Sequence, residues 1–334
     1  MPDSLLFSFL SPAPARMRVE DSQRDAWMRA ALGLQYPDPK NLDAWAAFRG
    51  AASQLALQHL PATITAELWR FYAFGGMDSV RIDNLPVDPT LPPVPTDGMR
   101  PAGKTAVSEA VVLGLISPWA EILSYVNEKK GVPIHEVTPI EGREQQQSNA
   151  GRVAFGFHSD NAFLATPFRQ EGILLFGLRN EYTATLVMSA EQIAESASAS
   201  LRQELARPAF RHAVPMSYQL PSTLKSAPRP ILWRDSMSRM RVTAASSSIE
   251  PIDVAAKQAL DEFRTLLSAL QPLHAVVGPG TALIFKDVRV LHGRGEVASE
   301  RWLQRAYFRE NLRDLRAKTH SDPRAFSFDV EQLL

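Results

Sequence analysis

The spacing of hydrophobic positions separates a helical first part of the chain from a strand-rich remainder. Leu42, Trp45 and Phe48 recur at helical intervals, which predicts an amphipathic helix that ends before Pro61. We therefore expect residues 1–130 to form a mainly helical elaboration of the fold.

Two further segments of this first part have their own patterns. Residues 80–95 contain prolines throughout, which exclude a helix and favour an extended path. Apolar and small residues then predict a helix over residues 107–130, with Pro118 as a kink or break and Gly131 as the C-cap.

After residue 131 the pattern changes to short apolar or alternating runs between turn residues, which predicts strands. The predicted strands are 132–137, 152–157, 172–178, 184–188, 231–233, 281–285 and 302–308. Many short strands favour a sandwich or a barrel. Two helices interrupt them, one opened by Ser189 with Gln192 at capping-box spacing and the other opened by Asp253.

Composition favours one elaborated domain. The chain has 334 residues, of which 45% are hydrophobic, so it can bury a large core while only slightly exceeding the usual size of a domain. The predicted organisation is a single domain over residues 1–334, with a β core at 131–315 and a lid insert at about 190–245.

Charge and cysteine content exclude several classes of function. Lys and Arg number 36 and so do Asp and Glu, so no net positive charge attracts nucleic acid or an anionic membrane. The chain has no cysteine, which removes disulfides, thiolate metal sites and cysteine nucleophiles. The apolar run at residues 5–10 lacks a preceding basic residue and is a poor signal peptide. We expect a cytoplasmic protein that binds neither nucleic acid nor membranes.

A His-x-Asp pattern occurs twice, at His158-Ser-Asp160 and at His320-Ser-Asp322. Alternate residues of a strand point to the same side, so both side chains of such a pair can reach one metal ion. The second copy lies in a charged tail near the C-terminus, where a solvated loop is expected. The first copy ends a strand-like run and is the better candidate for a metal site.

The residues before His158 set the side to which its ring points. Strand alternation places Phe155 and Phe157 on the opposite face, whereas Ala154 and Gly156 share the face of His158. These two small residues leave room for an ion inside a barrel. A structural histidine is nevertheless the commoner reading of such a position taken alone.

A second histidine strengthens the metal hypothesis. His292 ends an apolar strand pattern, and Gly293 frees the backbone to turn directly after it. Together with His158 and Asp160 it supplies two imidazoles and one carboxylate, the facial triad of non-haem iron(II) oxygenases, which leaves three coordination positions open.

Two arginines follow the second histidine on a predicted strand. Arg301 and Arg305 are four residues apart and face the same side, roughly 13 Å from one another along the strand, with Leu303 between them. A solvated strand could carry such charges in water. If the strand is buried, each guanidinium needs an anion, and a carboxylate is its best geometric partner.

These segments resemble the iron(II)/2-oxoglutarate-dependent oxygenases, specifically the clavaminate synthase-like, TauD-related branch that includes amino-acid hydroxylases. The resemblance covers about residues 70–315. The segments that carry it are 158–163, 290–294 and 301–305, supported by 85–93 and 125–139. It implies a mainly β fold with flanking helices (α+β), built on a distorted double-stranded β-helix, the jelly-roll or cupin-like core.

By this resemblance, His158, Asp160 and His292 would bind Fe(II). Arg301 would hold the distal carboxylate of the co-substrate 2-oxoglutarate, and Thr185 would give it a hydroxyl hydrogen bond. Many hydroxylases of this branch carry Glu in place of Asp160, and the ligand chemistry is the same. Retention of this carboxylate argues against halogenation, because the related halogenases lack it.

The resemblance also implies a set of substrate contacts. Arg305 would be free to bind the substrate carboxylate, Ser148 and Asn149 would contact the polar head of an amino acid, and Glu128 would approach its α-amine. Residues 233–243 lack a counterpart of the acidic residues that hold basic substrates, which argues against arginine as substrate.

The function implied is hydroxylation of an unactivated C–H bond of an amino acid or a derivative, free or carrier-bound, in specialised metabolism such as antibiotic biosynthesis. Fe(II), 2-oxoglutarate and O2 would be required. Desaturation or ring formation stay open. One alternative is a taurine-dioxygenase-like oxygenase of a small sulfonate or carboxylate. The other is a non-catalytic metal-binding interaction protein with the helical first third as a partner surface.

Overall fold

The computed structural model describes residues 15–74, 77–218, 220–221, 223–245 and 248–334, and within them it is a mixed α+β arrangement. The helices are α1 Asp21–Ala31, α2 Leu42–His59, α3 Ala62–Trp69, α4 Val107–Ile116, α5 Ala190–Ser196, α6 Ala199–Leu205, α7 Val254–Ala269 and α8 Arg313–Thr319. The strands are β1 Ala15–Arg18, β2 Ser79–Asp83, β3 Glu121–Tyr125, β4 Ile134–Val137, β5 Phe155–His158, β6 Gly172–Asn180, β7 Ala184–Ser189, β8 Phe210–His212, β9 Leu232–Arg234, β10 Met240–Val242, β11 Ile249–Pro251, β12 Leu273–Val276, β13 Ala282–Phe285, β14 Val290–Arg294, β15 Arg301–Arg309 and β16 Ser327–Phe328.

Two sheets carry most of the strands. The larger has eight strands in the order β1-β2-β13-β6-β15-β3-β16, with β4 also paired to β15. The smaller has four strands in the order β12-β7-β14-β5. All seven predicted strands are present, with ends shifted by up to three residues. Side chains of the two sheets meet around the end of β5, and the candidate site lies there.

Strand β15 has two faces with different neighbours. Arg305 and Tyr307 on one face contact Asp160, next to the small sheet. Trp302 and Gln304 on the other face contact Glu136 of β4. The predicted alternation along this strand is therefore confirmed, and it sends the two arginines to the same side.

The helices of the first part pack behind the large sheet. Asn41 caps α2 by accepting a hydrogen bond from the backbone N–H of Ala44 at 3.1 Å. Helix α2 packs closely on α4, because a Cβ at Gly114 would lie only 2.7 Å from the Cβ of Ala56. The predicted helix before Pro61 is confirmed, and the prolines of residues 80–95 follow strand β2.

The predicted helix over residues 107–130 is wrong beyond its first ten residues. Helix α4 ends at Ile116, two residues before Pro118, and residues Glu121–Tyr125 form strand β3. Tertiary pairing decides this, because Leu123 of β3 lies opposite Tyr307 of β15 in the large sheet. Gly131 has a left-handed φ of 74° but closes only a short 3-10 turn.

Between β7 and β12 lies an insert with its own hydrophobic cluster, centred on α5, α6 and α7. Ser189 caps α5 by accepting from the N–H of Gln192 at 3.1 Å. The Gln192 side chain donates to the carbonyl of Gln271 at 3.0 Å, so only half of the capping box forms. Asp253 caps α7 as predicted, accepting from Ala256 N–H at 2.7 Å.

The second His-x-Asp copy is solvated, as predicted. His320 ends α8 with a left-handed φ of 51°, and both it and Asp322 are exposed. Within the described ranges, no helix has the length and apolar character needed to cross a bilayer. The apolar run at residues 5–10 lies outside the described residues.

Candidate active site

Strand pairing brings the two candidate histidines together. His158 ends β5 and lies directly opposite His292 of β14 in the small sheet, with ring centroids 4.3 Å apart. Asp160 follows two residues later, in a turn beyond the end of β5. Its Oδ1 lies 3.2 Å from His158 Nε2 and 3.8 Å from His292 Nε2. One donor atom from each residue therefore falls within 4.8 Å of the other two.

The donor set fits a divalent transition metal. Donors that lie about 2.1 Å from an ion at right angles to one another are about 3 Å apart, close to the His158–Asp160 separation. His158 Nδ1 lies 2.8 Å from the carbonyl of Gly156, which accepts its proton and leaves the Nε2 lone pair free. That Nε2 is buried and has no hydrogen-bond partner. All three residues are buried.

The alternation predicted for the residues before His158 is broken by a β-bulge. The register of β14 and β5 shifts between His292 and Arg294, so Phe155 lies opposite Arg294. The centroid of the Phe155 ring consequently lies 4.0 Å from that of the His158 ring, with the rings tilted by 32°, instead of on the opposite face. Phe157 does point away, into the hydrophobic cluster of the insert.

The second oxygen of Asp160 is held from the large sheet. Its Oδ2 accepts hydrogen bonds from Arg305 at 2.7 Å and from the hydroxyl of Tyr307 at 2.9 Å. Burial alone would raise the pKa of Asp160, but the charge of Arg305 holds this pKa well below its usual value. The carboxylate is thus ionised, with Oδ1 left for the two histidines.

Arg305 already has partners within the protein, and its predicted contact with a substrate carboxylate stays a prediction. Besides Asp160, its guanidinium donates to Glu128 Oε1 at 2.6 Å and lies 2.7 Å from His135 Nδ1. Nothing in the sequence indicated that these three acceptors surround Arg305. Asp160 lies in the turn after β5, Glu128 follows β3, and His135 belongs to β4. Of its donors, Nε alone remains buried without a partner.

Glu128 is buried beside Arg305. The hydroxyl of Tyr218 lies 3.1 Å from its Oε2, and Arg305 occupies its Oε1. Burial would raise the pKa of Glu128, but the charge of Arg305 lowers it below the usual value. A buried anion here can bind a cation such as an ammonium group.

Arg301 has no anionic partner among the described residues. Its side chain is 4% exposed, and its Nε is buried without a hydrogen bond. Burial and the nearby charge of Arg294 lower its pKa to about 9. The hydroxyl of Thr185, which lies opposite Arg294 in the small sheet, is also buried and unpartnered. A buried guanidinium without an anionic partner is energetically costly, and a bound anion would remove this cost.

Ser148 and Asn149 lie in a half-buried loop that Arg294 holds in place. The Arg294 guanidinium donates to the carbonyls of Ser148 at 2.9 Å and Val153 at 2.7 Å. Within the described part of the chain, neither Ser148 nor Asn149 hydrogen-bonds to Glu128 or to the three donor residues. Their predicted contact with a substrate therefore stays a prediction.

Residues 233–243 contain one carboxylate, and it is already paired. Asp235 accepts from Arg239 at 3.2 Å and from Arg241 at 2.8 Å. Burial opposes its ionisation, but hydrogen bonds from the Arg239 backbone and the Arg241 side chain lower its pKa to about 2. Asp235 is thus not available to hold the side chain of a basic substrate.

Several residues of the site received no role from the sequence pattern. Tyr307 could have been found, because it lies two residues after Arg305 on the same face of β15. His135, Tyr218, Gln170 and Asp287 carry no local signal, since only long-range pairing brings them to the site.

The comparisons with known proteins agree with this geometry. No protein-family model matches the chain. It is 30% identical to the L-asparagine oxygenase of Streptomyces coelicolor in an alignment of 308 residues that covers 89% of each chain. A solved structure of asparagine oxygenase with Fe(II), 2S,3S-3-hydroxyasparagine and succinate superposes with a TM-score of 0.82 at 26% identity, over 94% of this chain and 99% of that one. The non-heme iron oxygenase OrfP, solved with Fe, succinate and (3S)-hydroxy-L-Arg, shares the fold, with a TM-score of 0.79 at 18% identity over 94% and 99% of the chains.

Proposed function

The chain belongs to the TauD-related iron(II)/2-oxoglutarate-dependent oxygenases, and from this premise we propose that it hydroxylates an unactivated C–H bond of a free amino acid. The observation that carries the proposal is the juxtaposition of a His-Asp-His donor cluster, an unpaired buried Arg301 and an ionised Glu128. These three features match a metal, a co-substrate carboxylate and an α-amine.

His158, Asp160 and His292 are the proposed iron ligands. When bound, Fe(II) lets 2-oxoglutarate and O2 react to give succinate, CO2 and the oxidising power that hydroxylates the substrate. Arg305 and Tyr307 keep Asp160 ionised and hold its Oδ2, so that Oδ1 points to the metal position. The Gly156 carbonyl fixes the tautomer of His158.

Arg301 and Thr185 are the proposed anchors for the distal carboxylate of 2-oxoglutarate. Binding of that carboxylate would give the Arg301 guanidinium the counter-ion that the protein does not supply. It would also satisfy the Thr185 hydroxyl. A fixed carboxylate at this end of the co-substrate orients its reacting end toward the three donors.

Glu128 and Arg305 are the proposed contacts for the ammonium and the carboxylate of the substrate. Arg305 and Glu128 already form an ion pair with each other. A bound amino acid would place its carboxylate next to Arg305 and its ammonium next to Glu128. Its carboxylate can take the unpartnered Nε of Arg305, and its ammonium can take Glu128. Ser148 and Asn149 would contact the polar head from the loop held by Arg294.

L-asparagine is the first substrate to test, because the relative at 30% identity is an L-asparagine oxygenase. A neutral side chain also agrees with the pairing of Asp235 by two arginines, which leaves no acidic group in residues 233–243 for a basic one. We place the reaction in the cytoplasm, in agreement with a chain that has no cysteine, and in specialised metabolism.

The two sheets would form a distorted double-stranded β-helix within a single domain. In this organisation residues 131–315 are the core, residues 1–130 are an elaboration packed behind it, and residues 190–245 are a lid insert. Tyr218 supports the lid assignment, because it reaches from the insert to Glu128 at 3.1 Å.

A screen of the proteinogenic amino acids tests the function. Purified protein with Fe(II), ascorbate, 2-oxoglutarate and O2 is expected to add one oxygen atom to L-asparagine, detected by mass spectrometry, with succinate formed in equal amount. His158→Ala is expected to reduce turnover by at least about 100-fold. Loss of a residue that only hydrogen-bonds to a metal ligand typically costs about 10–100-fold, and loss of the ligand itself should cost more. His320→Ala, in the solvated copy of the motif, is the matched control and should leave turnover unchanged.

Two outcomes would overturn the proposal. Equal turnover by the His158→Ala and wild-type proteins would reject the metal assignment. Hydroxylation of a small sulfonate in preference to every amino acid would replace the substrate class.

A further inference from the structure

A row of buried polar side chains links the amine pocket to the metal donors from behind. Its members are Asn161, Gln170 and Asp287, which are 5%, 0% and 0% exposed. None of them belongs to the proposed ligand or substrate set. Buried polar groups are costly unless they are hydrogen-bonded, so their partners indicate what they do.

Asp287 contacts both segments that carry metal donors. Its Oδ1 lies 3.3 Å from His292 Nδ1 and 3.4 Å from the backbone nitrogen of Asp160. The separation from His292 Nδ1 is within hydrogen-bond reach, and this nitrogen is buried with no other hydrogen-bond partner in the described part of the chain. A carboxylate on this side places the proton on Nδ1 and leaves Nε2, which faces Asp160, as a lone-pair donor.

Gln170 fixes the orientation of Asp287. Its side-chain amide Nε2 donates to Asp287 Oδ2 and to the carbonyl oxygen of Asp160, both at 2.7 Å. Its Oε1 accepts from Asn161 Nδ2 at 2.9 Å. A flipped amide would point its oxygen at two acceptors, so only one orientation of Gln170 is compatible with its neighbours.

Asn161 continues the row to the amine pocket. Its Oδ1 accepts from the hydroxyl of Tyr218 at 2.5 Å, and the same hydroxyl lies 3.1 Å from Glu128. Asn161 has a left-handed φ of 55°, a conformation that Asn tolerates better than most residues. The row is thus unbroken from Glu128 through Tyr218, Asn161 and Gln170 to Asp287.

We infer that Asn161, Gln170 and Asp287 are positioning residues that fix the tautomer and the ring orientation of His292 as a metal ligand. This inference rests on the proposed function. The geometry carries it because Gln170 holds Asp287 and the Asp160 backbone at once, and so sets two of the three ligands relative to one another. The three residues act through His292 and Asp160 and do not touch the substrate.

The test measures metal affinity in the absence of turnover. Co(II) is titrated into metal-free protein and followed by its visible absorption spectrum, which reports both affinity and ligand geometry. Asp287→Asn and Gln170→Met are expected to weaken Co(II) binding by about 10–100-fold and to change the spectrum. Tyr218→Phe, at the far end of the row, is expected to weaken it by less than about threefold, since only an indirect contact is lost.

Gln304→Met is the matched control. Gln304 is equally buried and its Nε2 also bonds two groups, Glu109 and Glu136, but it lies on the far face of β15. A purely structural role of Gln170 predicts that both Gln→Met variants lose stability in urea unfolding and retain wild-type Co(II) affinity and spectrum.

The outcomes are separable. If the wild-type protein does not bind Co(II), the proposed function itself fails. If the wild-type protein binds Co(II), while the Asp287→Asn and Gln170→Met proteins bind it as tightly and with the same spectrum, the positioning role is rejected and the function stands.

Discussion

Strand β15 has a buried polar network on each face, and the two differ in how completely they are paired. On the face toward the helices, Lys104 contacts Asp88 at 3.1 Å and Glu109 at 2.8 Å, and all three side chains are 0% exposed. On the face toward the small sheet, Arg301 has no anionic partner among the described residues and the Thr185 hydroxyl has no hydrogen bond.

The difference distinguishes a structural network from a binding one. A buried ion pair is stable only when each charge is compensated, and the far-face network compensates Lys104 with two carboxylates. The site face leaves Arg301 and His158 Nε2 uncompensated at a cost in stability that a ligand can recover. Both networks contain buried charged residues. The candidate site is therefore distinguished by a buried charge without a partner, and not by burial alone.

Lys104→Met should have the largest effect on stability. It leaves Asp88 as a buried carboxylate without its cation and removes one of the two cations beside Glu109, which retains Arg100 at 2.7 Å, and this costs about 3–5 kcal/mol. The free energy of unfolding in urea measures the loss, and Lys40→Met, at an exposed position, serves as the control. A loss no larger than that of the control would mean that the far-face network is not a structural one.

Arg301→Met should change stability in the opposite direction. Removing a buried charge without a partner is expected to stabilise the ligand-free protein by about 1–2 kcal/mol. The same variant should bind 2-oxoglutarate at least about 30-fold more weakly, since the loss of a buried charge partner costs about 2 kcal/mol or more. Thermal unfolding with and without 2-oxoglutarate measures both. Destabilisation of the ligand-free variant would show that Arg301 has a partner within the protein.

Glu136→Gln, on the far face of β15, should alter the pH dependence of the free energy of unfolding. Burial and the neighbouring Glu109 raise the pKa of Glu136 to about 7 from 4.5. Because the pKa of Glu136 is higher in the folded state than in the unfolded state, the protonated side chain contributes to the free energy of unfolding. This contribution is fully present below the unfolded-state pKa and is lost as pH rises through about 7. Between pH 5 and pH 8 the wild-type protein should lose about 2 kcal/mol more than the variant. Parallel urea-unfolding profiles of the two proteins would contradict the shift.

Tyr307→Phe should have the smallest effect. It removes one of two hydrogen bonds to Asp160 Oδ2, and Arg305 retains the other. A single hydrogen bond contributes about 1 kcal/mol, so metal affinity should fall by less than about tenfold. A larger loss, measured by Co(II) titration, would show that Arg305 cannot hold Asp160 without Tyr307.

Local sequence patterns predicted most secondary-structure elements and the candidate site residues, but they predicted few of the tertiary contacts. The spacing of Arg301 and Arg305 placed both on one face of a strand, and the His-x-Asp motif gave two donors, because these are properties of neighbouring residues. The pairing of Leu123 with Tyr307 made a strand of a segment predicted as helix. Such pairings depend on residues far away in the sequence, which one segment cannot reveal.

The partners of Arg305 illustrate the same limit within the site. Its sequence position predicted a cation on the same strand face as Arg301, buried or solvated, and the structure adds Glu128, His135 and Asp160 as its acceptors. The bulge in β5 is a second case, because it depends on the register with β14 and brings Phe155 onto His158.

The cross-strand pairing of His158 with His292 also sets when during folding the donors can meet. These histidines belong to strands that are distant in sequence, and contacts between distant segments form late because the intervening chain must first be ordered. A nascent or partly unfolded chain holds only the His158-Ser-Asp160 pair and cannot offer the complete donor set. If these residues hold iron as proposed, oxygen activation is confined to chains whose small sheet has already closed.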